Sequence, residues 1–157
     1  MSNRTPIFNV ENYQIEESIG YLLARSRAML VKSSDESLAE YGITHAQGAI
    51  LLMLSTGKYS TAADLARETY TDAASTKRMI DRLVARELIT REPCAQDRRL
   101  MKLHLTADGL ALSKKLPKAF CGVLNQHFSD FSPEEIGFLK SMLRRLLASN
   151  SPTEKTH

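Results

Sequence analysis

The segment from Leu88 to Leu105 reads LITREPCAQDRRLMKLHL and carries Asp97, Arg98 and Arg99 side by side. Apolar alternation on either side marks two strands of a hairpin, with this triplet at its tip. A hairpin needs no such charges to turn. Guanidinium groups at an exposed tip suit a polyanion, above all a narrow DNA minor groove, where negative potential concentrates. An aspartate beside two arginines can hold one by a bidentate pair and aim the other outward. A second polar set stands upstream in DAASTKRMIDRLVARE. Here Ser75, Thr76, Lys77 and Arg78 can donate to phosphates or base edges, and Ala73 and Ala74 allow close approach to a thymine methyl. Each set alone fits an ordinary solvated surface, so the weight rests on the elements that carry them.

Those elements belong to a chain of 157 residues, 43% hydrophobic, with a formal charge of +3. That length fits one domain with appended helices. The mild basicity permits a nucleic-acid partner without demonstrating one. There is no run of about 18 apolar residues to span a membrane and no signal-peptide pattern at the start. Cys94 and Cys121 make no disulfide framework, so a reducing cytoplasm is expected. His45, His104, His127 and His157 are scattered, without paired metal-ligand spacing. No nucleophile setting or phosphate-cradling glycine loop is present, so neither an enzyme nor a cofactor is expected.

Residues 1–11 read as an arm. Helical periodicity then runs from Asn12 through Ile15, Ile19, Leu22, Leu23, Met29 and Leu30 to a stop at Gly42. Thr44 can cap a nearly all-apolar second helix that ends near Gly57. Ser60 or Thr61 can cap a short third, and Asp72 a fourth over about 72–87. The turn between them, at Tyr70 and Thr71, makes the pair a helix-turn-helix. The hairpin follows over 88–105. Thr106 caps a helix running toward His127 that Pro117 should kink or break. Ser132-Pro133-Glu134-Glu135 starts a last helix, which carries Ile136, Leu139, Leu143 and Leu146 along one seam. The tail 149–157 is polar and expected to be disordered. The fold class is mainly α with a small β-hairpin: a winged helix-turn-helix over 43–105, between a first helix over 12–42 and C-terminal helices over 106–148.

The stretches ITHAQGAILLML, TAADLARETYTDAASTKRMIDRLVARELI and REPCAQDRRLMKLHLTADGLAL, in that order, resemble the MarR family of bacterial transcriptional regulators. The resemblance covers about residues 12–147 and is most specific over 43–112. It implies a dimeric, ligand-responsive, DNA-binding regulator in which the N- and C-terminal helices interleave with a second subunit. One departure is visible. The family commonly places glycine before the leucine that opens the first wing strand, and Glu87 stands there instead. Glutamate avoids the left-handed conformation a glycine cap supplies, which puts the helix-to-wing joint at issue.

A recognition helix enters the major groove by its first turns. The expected DNA contacts are therefore Ala73, Ala74, Ser75, Thr76, Lys77 and Arg78, with Arg82 secondary because it can instead pair with Asp81 or Glu87. In the wing they are Arg98 and Arg99, with Asp97 orienting one of them. Ser60 and Thr61 precede a helix start whose free amides could take a phosphate. Family effectors are often small aromatic or phenolic acids, bound between the dimerisation helices and the winged lobe. The corresponding positions offer Tyr21, Arg25, Ser26, Arg27 and Met29 on the first helix, and His45, Gln47 and Met53 on the second. Two other readings stand beside this one. Cys94, expected exposed and flanked by Arg91 and Arg98, could make the chain a redox sensor. A winged helix can also serve protein–protein contact without DNA.

Overall fold

Side-chain caps set where the helices begin. The computed structural model describes residues 6–149, so the first residues of the arm and nearly all of the tail lie outside the described residues. A 3₁₀ turn, Ile15–Glu17, leads into α1 (Ile19–Leu38), with Ser18 as cap. Regular helix therefore starts later than the periodicity at Asn12 predicts. A second 3₁₀ turn, Ala39–Tyr41, closes on Gly42 at φ 65°. Thr44 caps α2 (His45–Ser55) in a reciprocal box with Gln47. Thr61 caps α3 (Ala62–Thr69) in a box with Asp64, and Asp72 caps α4 (Ala73–Ala85) through the Ser75 amide. The strands β1 (Ile89–Pro93) and β2 (Met101–Leu105) pair antiparallel with Ile89 opposite Leu105 and Arg91 opposite Leu103.

The helix after Thr106 is divided into α5 (Ala107–Ser113) and α6 (Leu116–His127). The break comes at Lys114-Lys115, ahead of Pro117. The proline occupies the second position of α6, where its missing N–H costs no helical bond.

Residues up to Val123 form one unit, with α2 at its centre. Leu38, Ile50, Leu51, Leu65, Ile80, Leu83, Ile89 and Leu116 are fully buried there. Gly48 keeps α2 thin where Leu38 and Phe120 press on it; a Cβ would meet both at 3.3 Å. The remaining unit, from Leu124, holds the end of α6 and α7 (Pro133–Ala148). A box between Ser132 and Glu135 caps α7, and edge-on packing of Phe128 and Phe131 shapes the turn before it.

Apolar side chains remain uncovered on two helices. Ile19, Leu22, Leu23 and Met29 of α1 are exposed, and Ser34 and Leu38 are its only buried residues. Along α7, Phe138, Met142, Leu146 and Leu147 are exposed and no residue is buried.

The helix-to-wing joint answers the question posed by Glu87. Its φ is 56°, left-handed, as a glycine would be. The Leu88 amide donates to Leu83 O at 3.0 Å and the Glu87 amide to Val84 O at 2.9 Å, the two bonds of a Schellman closure. The glutamate thus takes up the glycine conformation at some cost in backbone energy. Glu87→Gly is expected to stabilise the fold by about 1 kcal/mol, read as a higher urea midpoint with unchanged slope. A lower midpoint would show that the glutamate side chain outweighs the backbone term.

Candidate nucleic-acid interface

The helix-turn-helix is closed in the same manner as the wing joint. Tyr70 sits at φ 50°, with Thr71 N–H on Ala66 O at 3.0 Å and Tyr70 N–H on Arg67 O at 3.4 Å. Its ring stands 79% exposed in the turn just before α4. The sequence places the turn at Tyr70 and Thr71 but does not announce the left-handed backbone, because an aromatic residue is not where one is sought.

On α4, Ala73 and Ala74 are exposed, and Ser75 is half-buried. Arg78 Nη2 donates to Ser75 Oγ at 2.8 Å. Lys77 Nζ lies 3.0 Å from Asp81 Oδ2, and the other oxygen of Asp81 takes the Arg91 guanidinium from β1. Arg91 first and Lys77 second hold the Asp81 carboxyl below the usual carboxylate range. Arg82, expected on Asp81 or Glu87, pairs with neither and is exposed. Thr76 departs from expectation. It is 1% exposed and its Oγ1 is buried with no hydrogen-bond partner, so the hydroxyl faces the core and cannot reach DNA.

At the other end of α4, Arg86 reaches back across the fold. Its guanidinium donates to the carbonyl of Tyr41, at 3.0 Å, and to that of Gly42. Nothing in the spacing of the sequence announces this contact.

The wing tip differs in detail from the expected bidentate pair. Asp97 Oδ1 accepts the backbone N–H of Arg99 at 3.0 Å, so the carboxylate shapes the turn instead of orienting a guanidinium. Arg98 and Arg99 are exposed and their guanidinium groups carry no ion pair among the described residues. Cys94 is buried at 5% exposure, not exposed as expected. Its thiol donates to Gln96 Oε1 at 3.3 Å. The amides of Gln96 and then Asp97 hold its pKa below the ordinary thiol value, and Lys102 adds to this; Arg91 and Arg98 are not the cause.

Of the two candidate caps before α3, Thr61 is the one used. Ser60 instead joins the wing, its carbonyl accepting Leu103 N–H at 2.8 Å. Asp64 Oδ2 already takes the amides of Ser60 and Thr61, at 3.3 and 3.1 Å, which fills with a carboxylate the anion site expected there. The Thr61 hydroxyl first lowers the Asp64 pKa, so the stability this carboxylate contributes is present at neutral pH and lost as pH falls through its lowered value.

The expected effector residues divide. Arg25 lies over the Tyr21 ring, 5.8 Å from its centroid, and Ser26, Arg27 and Met29 are exposed along α1. The His45 amide donates to Asp35 Oδ1 at 2.6 Å, and its ring meets Phe120 edge-on at 5.6 Å. Burial, then the charge of Arg27, lowers the His45 pKa, so the imidazole is neutral at neutral pH. Gln47 is buried and spent on the α2 cap, which removes it from the ligand set. Met53 packs against the core. A cavity of about 220 Å³ lies at the N-terminus among Ile7, Phe8, Tyr13 and Ile19, and none of the expected ligand residues lines it. Among the described residues, no group of acidic, histidine and cysteine side chains could hold a metal ion, and no helix is long and apolar enough to cross a membrane.

A helix-turn-helix, a hairpin joined to it by the Ser60 carbonyl, and helices on both sides define a winged-helix protein. The MarR family model matches residues 41–100. The organic hydroperoxide resistance transcriptional regulator of Bacillus subtilis is 29% identical over 140 residues, 87% of this chain and 92% of its own length. A solved structure of BpsR from Bordetella bronchiseptica, concerned with regulation of its DNA binding by 6-hydroxynicotinic acid, is 26% identical with a TM-score of 0.76, covering 88% of this chain and 98% of that one. A mutant of E. coli MarR complexed with operator DNA shares the fold, with a TM-score of 0.77 at 23% identity over 86% of this chain and 99% of its own. Over residues 41–100 the chain is thus similar to the MarR family, and over most of its length to a curated transcriptional regulator.

Proposed function

We propose that the protein is a homodimeric repressor that binds a pseudo-palindromic operator through α4 and the wing, and that a small aromatic carboxylate releases it. The observation that carries this reading is the pair of exposed cation sets on the two reading elements. Arg78 and Arg82 stand on α4 beside Ala73, Ala74 and Ser75, while Arg98 and Arg99 stand at the wing tip without ion-pair partners among the described residues. Counter-ion release from phosphates then supplies affinity, and side chains at the start of α4 supply discrimination.

Dimerisation is supported by the uncovered apolar faces of α1 and α7. A helix of 20 residues with only two buried has more apolar surface than its own chain covers. A second copy is the partner that would cover it.

The effector class is supported by Arg27, whose charge acts on His45, a neutral imidazole that can donate or accept, and by Arg25 stacked on Tyr21 of the same helix. BpsR lends weight, since 6-hydroxynicotinic acid is itself an aromatic carboxylate. The test begins with selection of bound duplexes from genomic fragments. Benzoates, hydroxybenzoates and hydroxynicotinates are then titrated against the selected complex, with Arg25→Ala and His45→Ala alongside. Release by at least one compound, weakened tenfold or more in a variant, is expected; tenfold corresponds to about 1.4 kcal/mol. If no compound binds, while peroxide releases the DNA and Cys94→Ser prevents it, the redox reading replaces this one. Sedimentation of the full chain as a folded monomer would remove the dimer.

A further inference from the structure

The cations on the two reading elements are of two kinds. Arg82, Arg98 and Arg99 have no acidic partner among the described residues, whereas Lys77 of α4 and Arg91 of β1 share one carboxylate, that of Asp81. Asp81 sits one helical turn after Lys77 on a surface meant for a polyanion. Unpaired, it would repel DNA; paired, it occupies two cations and leaves the triplet with one net positive charge. We propose that Asp81 is a positioning residue of the DNA surface, an internal counter-ion that holds Lys77 and Arg91 off phosphate and so restrains binding to DNA of arbitrary sequence.

The inference rests on the DNA-binding reading of α4 and the wing, and adds to it. Affinity for random sequence comes almost wholly from cations that displace counter-ions. A cation already neutralised within the protein displaces none unless it leaves its partner. The side chain of Lys77 is 72% exposed and that of Asp81 40%, so the lysine pair is solvated and weak enough to open. Arg91 is held more firmly, because its side chain is only 32% exposed and lies along the strand. The arrangement also ties β1 to α4 across ten positions of sequence, which fixes wing against recognition helix. Restraint on random DNA and a fixed approach both raise the ratio of operator to random affinity.

The experiment measures affinity of the full-length protein for a random-sequence duplex and for the selected duplex across a salt series. For Asp81→Asn the random-duplex affinity should rise, and the slope of log affinity against log salt should steepen by about 0.9 for each cation freed, up to about 1.8 for both. The selected-to-random ratio should fall. Asp81→Glu keeps the charge and is expected to restore the parent slope. Lys77→Ala should make the slope of Asp81→Asn shallower by about 0.9 and the parent slope shallower by less, because in the parent the lysine is shared with Asp81. A purely structural role for Asp81 would lower affinity without steepening any slope. An unchanged or shallower slope in Asp81→Asn, or an equal loss of slope from Lys77→Ala in the parent and in Asp81→Asn, overturns the proposal while the DNA reading stands. Salt-independent binding by the parent overturns both.

Discussion

Gly109→Ala is expected to destabilise the protein by about 3 kcal/mol or more, a large part of what a domain of this size has. A Cβ at this position would lie 2.0 Å from the carbonyl oxygen of Leu88, which is backbone and cannot swing aside. That carbonyl accepts the Thr106 amide at 3.1 Å, while the Thr106 hydroxyl accepts the Gly109 amide at 3.0 Å and donates to Glu87 O at 2.7 Å. One methyl group would push α5 from the wing base and break this set of bonds together. A urea midpoint close to the parent's would show that α5 can retreat cheaply, and would remove the close approach as a determinant of the fold.

Arg98→Ala and Arg99→Ala are expected to weaken DNA binding by about tenfold or more each, while the urea midpoint stays at the parent value. Neither guanidinium holds an ion pair among the described residues, so removing one takes little from stability. The two variants separate two roles. Loss of a phosphate contact lowers affinity on all sequences alike and makes the salt slope shallower by about 0.9. Loss of a minor-groove contact falls hardest on sites with narrow A·T-rich grooves. Unchanged affinity in both variants would withdraw the wing from the DNA surface.

The starts of α2, α3, α4, α5 and α7 are legible in the sequence because a cap is a local device. Thr44 with Gln47, Thr61 with Asp64 and Ser132 with Glu135 each lie three residues apart, within the reach of sequence spacing. What spacing cannot give is the direction of a single side chain or a partner from far along the chain. Thr76 shares the polar opening of α4 with Ser75 and Lys77, yet it sits one position before Lys77 and turns toward the core. Residue types alone put Asp97 on a guanidinium; the tight turn offers it the Arg99 amide instead. A place in the wing suggests an exposed Cys94, but the turn folds over its thiol. The Asp81–Arg91 pair and the Arg86 contacts join residues 10 to 45 positions apart, which only the folded chain brings together.

Arg86 has a meaning beyond a tie between loops. The carbonyls of Tyr41 and Gly42 follow the end of α1, where unsatisfied oxygens gather the negative pole of the helix dipole. Arg86 itself stands at the C-terminal cap of α4, beside the negative pole of that helix too. The backbone of Arg86 thus caps one helix end while its guanidinium serves as countercharge at another, joining the segment that would meet DNA to the segment that would meet a second copy. Pulling the two ends apart would strip the Tyr41 and Gly42 carbonyls of their cation, so displacement of either end carries an electrostatic penalty that moving both together avoids.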